Sequence, residues 1–208
     1  ERFMGVQSDV IAVTITADIL AADDDGISVS AQVANNAALV IGGALASGGA
    51  VALSNARKVT ITSGGDDDEI SFTIVGTDIN GTAQTEALTG ANAGVATSAA
   101  FFLTIASITA VGDPAGTVKA GISGDTSDIV FLGRARLKGV FLTSTATAGS
   151  VDFLTTSTAG TSLFKISSVA SATATRDVVI PDEGVLFKEG IYIQYTVSTF
   201  LTLTIFHA

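Results

Sequence analysis

The chain has 208 residues and a formal charge of −10, so it lacks the basic stripe with which nucleic-acid-binding proteins displace counterions from phosphates. It has no cysteine, which excludes disulfides, thiolate zinc sites and a cysteine nucleophile. The only histidine is His207, which nearly excludes histidine-based catalysis.

The first strongly apolar segment, 37–53, is not predicted to cross a membrane. It contains four glycines and a serine, and it is shorter than the roughly 20 apolar residues that a spanning helix needs. We predict two short strands around a glycine-rich turn. The glycine pairs in this segment have no Lys-Ser or Lys-Thr after them, so they are not phosphate-binding loops, and no cofactor is predicted.

Alternation of apolar and polar residues with a period of two predicts strands through the rest of the first half. Strands at 57–62 and 70–74 are expected to form a hairpin across a polar turn. Asn80-Gly81 is a tight-turn signal and predicts that a third strand, 82–88, pairs back on the second. Two more strands are predicted at 101–110 and 118–122.

The second half repeats this pattern after a segment of small residues at 121–128. Its predicted strands are 138–143, 150–154, 162–166, 175–180, 191–197 and 200–206. Turn signals at intervals of 8 to 14 residues with little helical periodicity predict an all-β protein. We predict two β-sandwich modules of immunoglobulin-like or jelly-roll type. Residues 1–124 form the first, with an N-terminal arm, and residues 125–208 form the second.

Two stretches of the sequence carry a resemblance. VTITSGGDDDEISFTIVGTDINGTAQTEALTGANAG, followed by AAFFLTIASIT, resembles virion structural proteins of tailed bacteriophages that are built on an immunoglobulin-like sandwich. GVFLTSTATAGSVDFLTTSTAGTSLFKI and VIPDEGVLFKEGIYIQYT are similar to small β-sandwich proteins of aquatic phages. The resemblance implies a virion location and a structural role, and its motifs are turn and strand positions that carry no chemistry.

Two acidic clusters could be considered as metal sites. They are Asp23, Asp24 and Asp25, and the turn of Asp66, Asp67, Asp68 and Glu69. Calcium takes six to eight oxygen ligands, but contiguous carboxylates on an extended chain diverge from one another. We interpret both clusters as solvated turns and predict no metal site. The turn at 66–69 is the weak candidate.

The segment Gly133–Gly139 contains three of the ten basic residues at alternate positions. On a strand, Arg134, Arg136 and Lys138 would project from one face while Ala135 and Leu137 face inward. Such a row could dock an acidic partner surface and fix its register. The alternative is a solvated strand face that neutralises nearby carboxylates.

Scarcity of charge is the feature that bears most on function. Charged residues make up 14% of the chain, against about 25% in average soluble proteins. Surfaces that stay buried between subunits are depleted in charge. The uncharged stretches 26–56 and 87–112 are therefore expected to contact other subunits.

These observations predict a non-enzymatic virion protein on the capsid surface. We favour a capsid decoration or cement protein that binds between major capsid subunits as a homo-oligomer, for which a trimer is one option. Its first module and the arm residues Arg2 and Phe3 would grip the shell. The alternatives are a tail, baseplate or fibre component that contacts the host, and a secreted bacterial adhesin module that binds calcium.

Overall fold

The computed structural model describes residues 9–16, 21–124, 127–170, 172–196 and 200–208. Within those ranges the chain forms strands and no helix, which confirms the predicted all-β class. No helix among the described residues could therefore cross a lipid bilayer. The strands are β1 (Ile11–Thr16), β2 (Asp23–Gln32), β3 (Ala46–Ser47), β4 (Ala50–Ser63), β5 (Ser71–Thr77), β6 (Ala83–Thr89), β7 (Val95–Val111), β8 (Thr117–Ile122), β9 (Ser127–Phe131), β10 (Ala135–Ser144), β11 (Gly149–Leu154), β12 (Ser162–Ser168), β13 (Ala174–Val179), β14 (Val185–Phe187), β15 (Ile191–Tyr195) and β16 (Phe200–His207).

The chain divides into two compact units. One is continuous, Ile19–Ile129, and the other combines Glu1–Asp18 with Val130–Ala208. We call them the continuous unit and the discontinuous unit. They differ from the predicted modules, 1–124 and 125–208, mainly at the N-terminus. Strand β1 pairs antiparallel with β16, so the N-terminal segment joins the unit that contains the C-terminus.

The continuous unit is built on one antiparallel sheet with strands in the order β2-β8-β4-β7-β5-β6, and β3 pairs with β4. Buried aliphatic and aromatic side chains, Phe72 and Phe102 among them, form its core. The glycine-rich turn predicted in 37–53 is present as Gly48 and Gly49, both with positive φ, between β3 and β4. The predicted pairing of the third strand with the second is also confirmed, because β5 and β6 are antiparallel neighbours.

The predicted hairpin between 57–62 and 70–74 is wrong. The strand β7 has 17 residues and pairs with β4 along one part and with β5 along the other, so it lies between them in the sheet. The segment after β4 is bound elsewhere: Gly64 N donates to the Thr117 carbonyl at 2.8 Å. The two predicted hairpin strands therefore both pair with β7 and do not pair with each other.

The discontinuous unit contains two antiparallel sheets. One has the order β1-β16-β10-β13, with β14 also paired to β10, and the other has the order β12-β11-β15-β9. Each sheet has one buried face, which in the first includes Val140, Leu142 and Leu203. The rings of Phe131 and His207, one from each sheet, lie 5.0 Å apart. This is a β-sandwich-like arrangement.

Candidate docking surface

The basic row lies at the start of β10, as the alternation of its residues predicts. Ala135 and Leu137 are buried, whereas Arg134 is exposed and Arg136 and Lys138 are half-buried. Arg136 and Lys138 are therefore on the outer face of β10, and Arg134 lies in the bend just before the strand. We use the name basic row for Arg134, Arg136 and Lys138.

The turn between β13 and β14 holds two of these cations in place. Arg136 Nη1 donates to the Glu183 carbonyl at 3.2 Å, and Lys138 Nζ donates to the Asp182 carbonyl at 3.3 Å. The turn is itself closed by Gly184 N, which donates to Pro181 O at 3.2 Å. Main-chain carbonyls thus fix the direction of both side chains.

One carboxylate approaches the row. Arg136 Nε lies 3.7 Å from Glu183 Oε2, and the Glu183 side chain is 81% exposed. An ion pair this exposed contributes about 0–1 kcal/mol. Within the described part of the chain, Arg134 forms no ion pair or side-chain hydrogen bond. The row is therefore only partly neutralised by its own unit.

The basic row lines an open groove with a volume of about 400 Å³. Ala135, Glu183, Leu186 and Ala208 complete its lining. This volume falls within the range of about 300–1,000 Å³ of ligand sites. With three cations and one carboxylate, the groove is suited to an anionic group.

The same sheet has an outer face that is almost without charge. The registers of β1, β16, β10 and β13 align three rows of four residues on it, and we call these twelve positions the neutral face. Its rows are Ala12, Phe206, Gly139 and Val179; Thr14, Thr204, Phe141 and Asp177; and Thr16, Thr202, Thr143 and Thr175. Asp177, on the edge strand, is its only charged residue. Phe141 is 37% exposed and Val179 is 78% exposed, so apolar surface is accessible there.

A β-bulge joins the basic row to the neutral face. The register of β10 with β16 shifts between Leu137 and Gly139. Alternation would place Gly139 on the face of Leu137, but the bulge brings Gly139, which is itself buried, opposite Phe206 and leaves Val140 inward opposite Ile205. The cations and the neutral face therefore follow one another on the same side of the sheet.

Part of each uncharged stretch, 26–56 and 87–112, lies in the core, and the contact of these stretches with other subunits stays a prediction. Many of their side chains, such as Ile27, Val51 and Ile105, belong to the core of the continuous unit. Val40 and Val95 remain 78% and 59% exposed. The core thus accounts for the missing charge at these buried positions only, since more than half of 26–56 is exposed and few residues of 87–112 are buried.

The acidic turn at 66–69 does not gather its carboxylates. Asp67 is buried, and its Oδ1 accepts a hydrogen bond from Ala115 N at 2.7 Å, while Asp66, Asp68 and Glu69 are exposed. In the described residues, the only group of three potential metal ligands within 4.8 Å of one another is Asp23, Asp24 and Asp25.

This second cluster already has a cation. Lys119 Nζ donates to Asp24 Oδ2, and that hydrogen bond raises the pKa of Lys119. Asp23 Oδ1 accepts from the backbone N–H of Asp25 at 3.4 Å. The predicted turn is wrong for this cluster, because the three residues begin strand β2, and both contacts lie within the continuous unit.

Two further carboxylates with no predicted role support the strands. Glu86 accepts hydrogen bonds from the backbone N–H groups of Ala99 and Ala100, at 2.8 and 3.0 Å. Asp152 forms an ion pair with Lys165 at 3.1 Å. The predicted arm residues Arg2 and Phe3 lie outside the described residues.

Sequence reasoning missed a buried pair, Arg57 and Asp128. Arg57 Nη2 donates to the Ser123 carbonyl at 2.6 Å, and Nη1 lies 3.8 Å from Asp128 Oδ2. Burial raises the pKa of the Asp128 carboxyl from 3.8 to about 7, against the opposing effects of Arg57 and of the Ile129 N–H. Arg57 opens an alternating strand and Asp128 follows a loop, so nothing in either pattern signals burial.

Comparison of the chain with protein-family models, with curated proteins and with solved structures finds no match.

Proposed function

We propose that this chain is a non-enzymatic structural protein of a tailed-bacteriophage virion, a decoration protein that stabilises the capsid by binding between major capsid subunits. The observation that carries the proposal is the neutral face, with one charge in twelve positions. Covering such a face removes almost no charge from water, so the desolvation penalty that opposes docking is small. The phage assignment itself is supported by the resemblance of the sequence.

The basic row gives this surface an orientation. Uncharged contacts supply affinity without a preferred register, whereas charges at one end of an interface align the partners and suppress wrong ones. Because the bulge places the row and the neutral face on the same side, a single partner surface can contact both. We propose that they form one docking surface, which a homo-oligomer would present in several copies.

The proposed absence of catalysis is supported by the setting of the ionisable groups. Perturbed pKa values in a cleft suggest an active site. The Asp128 carboxyl is completely buried, and His207 is 2% exposed, with its pKa lowered by burial. Groups enclosed in this way contact the protein and have no access to a substrate.

The test is cryo-electron microscopy of purified particles assembled with the wild-type chain or with one of two variants. Thr143→Lys places a cation in the neutral face, and Thr85→Lys is the matched control on exposed β6. We expect density in many symmetric copies on the head lattice for wild type and for T85K. For T143K we expect at least about a tenfold lower occupancy, because docking would desolvate the new charge.

Other outcomes overturn the proposal. Density confined to the tail would assign the chain to a tail, baseplate or fibre component. Equal occupancy for T143K and T85K would show that the neutral face is not the docking surface. Thermal unfolding of both variants checks that the comparison is made between folded proteins.

A further inference from the structure

Arg136 and Lys138 lie two residues apart on β10, and Arg134, in the bend just before this strand, lines the same groove. Strands rise about 3.3 Å per residue, so side chains two positions apart on one face are separated by about 7 Å. An extended peptide with acidic residues at every second position presents carboxylates with the same repeat. In a peptide with contiguous acidic residues, neighbouring carboxylates point to opposite sides, and only some can face the row.

The groove is prepared to receive carboxylates. Arg136 and Lys138 each use a donor on a turn carbonyl, yet a guanidinium has five N–H donors and an ammonium three. The remaining donors can bind a ligand while the carbonyls keep the side chains in position. The exposed carboxylate of Glu183 can be replaced by a ligand carboxylate at little cost.

The backbone of β10 is not available to an added strand. Arg136 exchanges two hydrogen bonds with Ala208, from N to O at 2.7 Å and from O to N at 3.0 Å. On the other side Arg136 pairs with Leu186 of β14. A ligand is therefore read by side chains on the face of the sheet, and Leu186 supplies an apolar floor beside the cations.

We propose that the groove binds an extended acidic peptide segment of a partner protein, in which Asp or Glu recurs at every second residue. This inference rests on the proposed function, because it gives the chemistry of the partner at the same docking surface. A peptide fits better than a long polyanion, since the remaining surface of a chain with charge −10 repels a polymer that extends beyond the groove.

The test uses the full chain and two synthetic peptides of one composition, with capped ends. The first is Asp-Thr-Asp-Thr-Asp and the second is Asp-Asp-Asp-Thr-Thr. We expect isothermal titration to show about threefold tighter binding of the first, the loss expected when one exposed ion pair worth about 0.7 kcal/mol is forfeited. Affinity should fall as salt increases.

The variant Arg134→Gln tests whether the peptide binds in the groove. Arg134 is exposed, so this substitution is expected to leave the melting temperature unchanged and to weaken the first peptide by about threefold or more. Lys165→Gln is the matched control, because Lys165 pairs with Asp152 outside the groove, and it should leave the affinity for the first peptide unchanged.

Three results would overturn the assignment: equal affinity for the two peptides, no binding of either one, or tighter Arg134-dependent binding of a sulfated oligosaccharide. Failure here is distinguishable from failure of the proposed function. Peptide binding together with normal particle occupancy of T143K would support the groove and reject the neutral face. Reduced particle occupancy of T143K without peptide binding would support the neutral face and reject the groove.

Discussion

Asp67 shows how one carboxylate in an acidic run can be structural while its neighbours are solvated. Its Oδ1 accepts from Ala115 N, and its backbone carbonyl accepts from Ile70 N at 3.0 Å. We expect Asp67→Ala to reduce the free energy of unfolding by about 1–3 kcal/mol, since the hydrogen bond between the Ala115 N–H and the buried side chain of Asp67 would be lost. Asp68→Ala, at an exposed position, should be nearly neutral in the same chemical denaturation.

The same measurement separates structural from metal-binding roles for this turn. Since its carboxylates do not converge, we expect a chelator to leave the melting temperature of the wild type unchanged. A chelator-dependent decrease that D67A abolishes would restore the calcium alternative.

Asp128 makes stability depend on pH in an unusual direction for a carboxylate. Its folded pKa of about 7 exceeds its ordinary value of 3.8, so the folded state holds the proton more tightly than the unfolded state. The resulting stabilisation is fully present below about pH 4 and is lost as the pH rises through about 7. Its upper limit is about 4 kcal/mol, from 1.36 kcal/mol per pH unit.

The variant Asp128→Asn resembles the protonated form at every pH. We therefore expect chemical denaturation to find D128N close to wild type at pH 4 and more stable than wild type at pH 8. Asp68→Asn, which removes one exposed carboxylate, is the control and should keep the wild-type difference between the two pH values. A pH dependence that survives unchanged in D128N would contradict the assignment of this effect to Asp128.

Residue patterns and long-range contacts differ in what a sequence can reveal. Alternation predicted the outward positions of Arg136 and Lys138, but it did not predict that Arg134 lies in a bend before β10. The pair of Arg57 and Asp128 was not predictable, since it joins positions 71 residues apart and its burial depends on how the strands fold together. Asp67 was likewise indistinguishable from Asp68 until the loop at Ala115 was placed against it.

At the scale of elements, the approach of β5 to β7 requires a glycine. The register between these strands shifts at Val75 and Gly76, and a Cβ at Gly76 would overlap the Thr104 carbonyl oxygen. We expect Gly76→Ala to destabilise the protein by about 1–3 kcal/mol, because a close backbone contact must open. Gly42→Ala, whose Cβ would have its nearest neighbour 3.8 Å away, should be tolerated in the same thermal unfolding experiment.

Strand positions were more predictable than strand partners. Alternation within 82–88 or 200–206 reflects one buried face, which any neighbour can provide, and both segments are strands. Pairing depends on lengths and bulges. Within β7, Phe102 and Ile105 are both buried, although strict alternation places them on opposite faces, and β4 shifts register with β7 between Ala52 and Arg57. Such shifts arise from tertiary contacts and leave no periodic signal.

At the scale of the whole molecule, the docking surface contrasts with the rest of the chain. A net charge of −10 keeps copies apart at long range, whereas the basic row attracts acidic surfaces and the neutral face presents no charge barrier at contact. On the proposed function, selection between partners would take place in two steps, electrostatic approach and uncharged burial. The first step would weaken as salt increases and the second would not change, so salt can separate them.

We expect the occupancy of the chain on its particle to fall as sodium chloride is raised from about 0.05 to 0.5 M and then to level off. The falling part comes from the basic row, since salt screens exposed charges over a Debye length of roughly 10 Å at 0.1 M. The occupancy that remains at high salt comes from the neutral face, because apolar contact does not depend on screening.

The triple variant R134Q/R136Q/K138Q should show this lower occupancy at every salt concentration. T143K should lose the occupancy that remains at high salt, and its occupancy at low salt should still fall as salt is raised. Quantitative binding of labelled protein to purified particles measures both, and identical salt profiles for wild type and the triple variant would contradict a role for the basic row in docking.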